Sequence, residues 1–193
     1  MNVRTLLAVL AAALAATLAF PAPAHAEGAC KLTQLSKPAL SLADMYKLAD
    51  GHARAWKPDA KLASMSNTTL GLLKPDGTAA SWHVVFQSEA AKSWVTIDTA
   101  NGYLSCSANP GGAGRIPDVK PDFFRDGAAL YAIAKEHGAA LLAQGYGVMV
   151  GTAAAPNTRH ATWNINYHKD GAKDGGLLVL VDANTGKVEK VLK

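Results

Sequence analysis

Two stretches of this chain repeat each other, and that duplication restricts the fold more than any other feature. Ala43-Asp44-Met45-Tyr46-Lys47-Leu48-Ala49-Asp50-Gly51-His52 aligns with Ala128-Ala129-Leu130-Tyr131-Ala132-Ile133-Ala134-Lys135-Glu136-His137, with Ala, Tyr, Ala and His matched at an offset of 85. Trp82 matches Trp163 at an offset of 81, and Asp98 and Gly102 match Asp182 and Gly186 at an offset of 84. Three anchors in the same order, drifting by a few residues, indicate duplication with small loop changes.

Each copy opens with helical periodicity. Leu42, Met45, Leu48 and Ala49 recur at helical spacing, as do Leu130, Ile133, Ala134 and Leu141. Ser41 or Asp44 suits the first amino-terminal cap, Asp122 or Asp126 the second. Lys57-Pro58 and Gly138 suggest where helix gives way to loop. Alternating strands follow at Trp82–Phe86 and Trp163–Tyr167, then Trp94–Ile97 and Leu177–Val181, with Lys61–Ser66 and Gly147–Gly151 before them. Final strands cover Gly102–Ser107 and Lys187–Leu192. Leu177–Val181 is apolar on both faces, which predicts a central, covered strand. Trp82, Trp94 and Trp163 are expected to pack beneath the helices, whereas unmatched Trp56 suits a helix-end staple or an exposed contact. The fold class expected is α+β: two repeats, each a helix packed on a small antiparallel β-sheet.

The chain divides accordingly into residues 1–26, a first repeat over 27–107, a Gly/Pro-rich linker over 108–122 and a second repeat over 123–193. Residues 1–26 read as a signal peptide: Arg4, an apolar run from Leu6 to Phe20, and Ala24-His25-Ala26 as a cleavage signature. This predicts a periplasmic or secreted protein that does not span the membrane once the segment is removed. Cleavage after Ala26 leaves 18 basic residues against 15 acidic ones, scattered without runs, so nothing indicates a nucleic-acid partner. Both cysteines, Cys30 and Cys106, fall in the exported part, where one disulfide is the default expectation. It would close a loop of 76 residues and fasten the amino-terminal arm to the end of the first repeat.

The most specific stretch is Val181-Asp182-Ala183-Asn184-Thr185-Gly186-Lys187-Val188, with Ile97-Asp98-Thr99-Ala100-Asn101-Gly102-Tyr103-Leu104 as its weaker twin. Both read as structural turns: Asp98 or Asp182 accepting backbone N–H groups, Gly102 or Gly186 in left-handed geometry. A helix with an alanine-rich face, an alternating aromatic strand and then Val-Asp-Ala-x-Thr-Gly-x-Val resembles the PepSY family. The resemblance covers Phe124–Leu192 well and Leu40–Ser107 less well, since Thr99 and Asn101 depart from the motif. It implies a small binding module outside the cytoplasm, with a role as inhibitor or modulator of an exported peptidase. An architectural analogy with a secreted inhibitor of β-lactamase adds a second kind of enzyme target.

Chemistry is sparse. No HExxH, GxSxG or phosphate-cradling glycine motif occurs, so the chain is read as a non-enzyme with no catalytic residue, cofactor or metal. The Asp182–Gly186 stretch does not meet calcium-loop spacing. His52 and His137 close their helices, where a cation meets the negative end of the dipole. His160 and His168 share a strand parity but lack a third ligand at a metal-binding spacing. The polar parity of the central strands, His83 and Gln87 with Asn164, Asn166 and His168, is the candidate binding face. The partner expected is a protein, an exported peptidase or another envelope protein; the rival reading is a carrier of a small ligand or envelope polymer, and a hydrolase comes third.

Overall fold

In the computed structural model, residues 30–154, 158–172 and 176–193 are described; the segment read as a signal peptide lies outside them. Helix α1 (Leu42–Trp56) begins where Ser41 accepts a hydrogen bond from the Asp44 backbone N–H and donates its hydroxyl to the Asp44 carboxylate. This reciprocal cap satisfies a donor the first turn would otherwise leave free. Leu42, Met45, Ala49 and Ala53 form its buried stripe. Asp126 caps α2 (Gly127–Ala143) through the Ala129 N–H. The glycine expected to stop this helix instead kinks it: α2 continues past Gly138, whose φ is −119° and ψ 24°. A Cβ at Gly138 would lie 2.2 Å from the Tyr167 ring, so this glycine is required by close packing. The Tyr167 hydroxyl donates to the Ala134 carbonyl at 2.6 Å, and burial pushes the phenol pKa up to about 12.

The strands do not make two small sheets. The chain is mostly β, and its principal sheet is a single antiparallel one of nine strands, which corrects the expected fold class. In chain order these are β1 (Thr33–Gln34), β3 (Lys61–Asn67), β5 (Trp82–Ser88), β6 (Ser93–Ala100), β7 (Tyr103–Pro110), β8 (Gly147–Ala154), β9 (Ala161–His168), β10 (Leu178–Asp182) and β11 (Val188–Leu192). Their spatial order is β1-β7-β6-β5-β3-β8-β9-β10-β11, and a separate two-residue ladder joins β2 (Leu40–Ser41) to β4 (Thr78–Ala79). The first long strand after each helix pairs with the other, Met65 opposite Thr152 and Ser66 opposite Gly151. The physical reason is the edge: separate sheets would each end on an unpaired strand, and joining β3 to β8 removes both edges. Asn67 extends this seam with its side chain. It accepts from the Val150 N–H at 2.7 Å and donates to the carbonyls of Gly71 and Val148.

Alternation sends Trp82, Val84 and Phe86 of β5, and Trp163, Ile165 and Tyr167 of β9, to one face. There they join the buried stripes of both helices in one core. Trp82 Nε1 donates to the Leu40 carbonyl at 3.1 Å and Trp163 Nε1 to that of Phe124 at 2.8 Å, each just ahead of a helix. Tyr46, Phe123 and Trp163 make a chain of ring contacts across the midline, with Arg125 4.7 Å above the first two rings. Two expectations are corrected here. Trp94 has the parity of Thr96 and Asp98, so it lies on the face away from the helices while Val95 and Ile97 enter the core. Strand β10 lies next to the edge strand β11, and Leu178 and Leu180 are half-buried on that same outer face.

Cys30 and Cys106 form a disulfide with Cα atoms 4.9 Å apart, and β1 adds the amino-terminal arm to the sheet opposite Leu104 and Tyr103. Of the residues read as linker, Ala108–Pro110 belong to β7. The rest is pinned along the sheet: Ala113 N–H to Gln87, Arg115 to the Thr158 carbonyl, and Asn184 to both Asp118 and Lys120. No helix among the described residues is long and apolar enough to cross a membrane.

Candidate binding surface

Both helices cover one face of the sheet, which leaves the other face free of helix among the described residues. Strand registers assemble a transverse row on it: Ser105, Asp98, His83, Ser66, Gly151, Asn164, Leu180 and Lys190, each opposite the next. His83 and Asn164, residues 81 apart in sequence, thus lie in the same row, separated by Ser66 and Gly151. Small residues at those two crossing points keep the middle of the face low, with larger side chains on both flanks.

Polar and apolar groups are mixed across this surface. His83 Nδ1 meets Asp98 Oδ1 at 2.5 Å, and both side chains are part-exposed. The hydrogen bond that His83 donates to the Asp98 carboxylate raises the imidazole pKa above its ordinary value; burial opposes this, and the carboxylate charge reinforces it. Next to that pair run Val85 opposite Thr96 and Gln87 opposite Trp94. The Gln87 side-chain carbonyl is engaged within the chain, accepting from the Ala113 N–H at 2.7 Å. On the other flank, Asn166 is exposed and His168 half-buried, around a cavity of about 350 Å³ lined also by Met149, Leu177 and Leu178. His168 Nε2 approaches Asp170 at 3.0 Å.

The two aspartates of the repeated turn have different partners. Asp182 accepts from the N–H groups of Asn184 and Thr185 at 2.9 and 2.7 Å. Burial pushes its carboxyl upward, but the Thr185 hydroxyl together with these backbone hydrogen bonds prevails and holds it below the usual range. Gly186 follows with φ +73°. Asp98 instead serves His83, and its hairpin turns on Asn101 and Gly102 (φ +51° and +78°), the left-handed pair a two-residue connection demands.

Sequence reasoning missed Asp98, Trp94 and the leucines of β10 as members of this face. For Asp98 and Trp94 the signal was present, since strict alternation from buried Ile97 assigns both to the outer side. His52 and His137, read as closing their helices, lie inside them, since α1 runs to Trp56 and α2 to Ala143; the His52 imidazole is within 4.8 Å of the Cys30 and Cys106 sulfurs. No model of a known family, no characterised protein and no solved structure matches this chain.

Proposed function

We propose that this chain is a non-enzymatic binding module that engages a protein through the helix-free face of its sheet, its partner being an exported peptidase or another envelope protein. The observation that carries the reading is that face itself: broad, uncovered by helix, and set with Trp94, His83, Asp98, Asn164 and Asn166 among small residues. Nine strands about 4.8 Å apart span roughly 38 Å, and seven-residue strands run about 24 Å. The resulting area, about 900 Å², matches the roughly 800 Å² that each partner contributes to a standard protein–protein interface. The mixture also suits one, since aromatic anchors within a hydrogen-bonding surround are the usual composition of such contacts. The PepSY resemblance of Phe124–Leu192 supports a modulator of peptidases. The disulfide and the apolar amino-terminal run support a periplasmic or secreted location.

A carrier of small ligands is the second reading, favoured by a cavity of about 510 Å³ between α1, the start of β3 and the segment 116–121. Its lining includes Tyr46, Phe86, Arg54, Lys120 and Arg159, and its volume is within the range of small-molecule sites. Affinity capture separates the two. The protein with its disulfide intact, immobilised and exposed to envelope and culture-supernatant proteins of its source, should retain a peptidase or another envelope protein that free protein displaces. Trp94→Ala and Asn166→Arg should each release it. Retention of nothing above a blank matrix would overturn the protein-binding reading, and undiminished retention by both variants would overturn its assignment to this face.

A further inference from the structure

His160 and His168 lack a third ligand in sequence, but the fold supplies two carboxylates to the first of them. His160 immediately precedes β9, and its Nε2 is 2.8 Å from Glu189 Oε1 on β11 and 3.8 Å from Asp182 Oδ2 on β10. The three donor atoms all lie within 4.8 Å of one another. We propose that His160, Asp182 and Glu189 form a binding site for a divalent transition-metal ion of the zinc class.

Three features of the local structure build this site. Asp182 is oriented: the Asn184 and Thr185 N–H groups hold Oδ1, leaving Oδ2 toward His160. Hydrogen bonds of this kind, one step behind a ligand, fix its direction and tune its affinity. Glu189 is aimed by a bulge. Pairing runs Val181 with Val188 and then Leu180 with Lys190, so Glu189 is the extra residue, and bulges commonly redirect a side chain in this way. His160 is held by its bridge to Asp118, whose backbone also receives the Asn184 side-chain amide.

The charges point the same way. One imidazole N–H serves one acceptor, and Glu189 takes it at 2.8 Å, while Asp182 Oδ2 stands 3.8 Å from the same ring nitrogen. A dication answers both carboxylates at once. Tetrahedral zinc with bonds of about 2.0–2.2 Å needs donors about 3.4 Å apart, between the 2.8 and 3.8 Å observed. One imidazole nitrogen with two carboxylate oxygens suits zinc and its neighbours better than calcium, which takes 6–8 oxygen ligands. Three protein donors leave a further position for water or for a donor on a bound partner.

The test is calorimetric titration of tag-free, chelator-stripped protein with zinc chloride, with cobalt chloride as a spectroscopic probe. One ion per chain is expected, and cobalt should show the visible bands of a low-coordinate site. His160→Ala and Glu189→Gln should each weaken zinc binding about tenfold or more, as losing even an outer-shell partner does elsewhere. His137→Ala, on the distant helix α2, should leave it unchanged. Glu189 is part-exposed on the edge strand, so its variant folds normally, and circular dichroism verifies this. Absence of a single-site isotherm, or affinity retained in either His160→Ala or Glu189→Gln, would overturn the proposal and leave an ion pair alone.

Discussion

At the residue scale, the pair His83–Asp98 sets how the outer face responds to pH. Its geometry raises the imidazole pKa, chiefly through the hydrogen bond from His83 to the carboxylate. A raised folded-state pKa means that protonation stabilises the fold. That contribution is fully present below the unfolded value of about 6.5 and fades as pH rises through the folded value. Both groups are part-exposed, so solvent screens the pair. We expect the His83 ring resonances to titrate above about pH 6.5. Asp98→Asn should lower that midpoint and destabilise the protein more in mild acid than in mild alkali. An NMR titration checks the first point and urea unfolding at two pH values the second; an unchanged midpoint in the variant would contradict the assignment. The turn Asp182 behaves oppositely, because its carboxyl, though raised by burial, is held below the ordinary range by the Thr185 hydroxyl and backbone donors of the turn. Two aspartates at matching positions of a repeated motif thus have separate tasks, and only their partners in space distinguish them.

At the scale of elements, the β3–β8 seam joins the two halves. Two opposed residue pairs would make a weak junction, and Asn67 strengthens it with two side-chain hydrogen bonds across to the β8 backbone and a third to Gly71 in its own half. Asn67→Ala leaves the Val150 N–H without an acceptor and should cost about 1–3 kcal/mol for that unsatisfied group. Equilibrium unfolding in urea measures it, and a loss too small to resolve would show that the seam does not depend on this side chain. Strand positions were legible in the sequence, because apolar alternation over Trp82–Phe86 and Trp163–Tyr167 is a local property. The joining of β3 to β8 was not, because no local pattern states which edges meet, and Asn67 by itself reads as a turn residue. Gly138 was misread for a similar reason. Its role is set by the Tyr167 ring, from a strand reached only after β8 has intervened.

At the scale of the molecule, one sheet with both helices on one side creates what two separate units could not, an uninterrupted outer face crossing the midline. Parity alone placed His83, Asn164, Asn166 and His168 on outward positions. Their assembly into one surface depended on the seam, and the occupation of Gln87 depended on the path of residues 111–117. The disulfide and β1 close the far end of the sheet, fastening the arm that leads into α1. The central claim is that this outer face meets the partner. It is tested most directly by site-specific photocross-linking, with a photoreactive side chain placed singly at Ser66, Asn166 or Tyr103 on the face, and at Lys135 or Glu136 on α2. The account predicts that the three sheet positions yield the same protein adduct and that the helix positions yield none. Adducts from α2 with none from the sheet would contradict it.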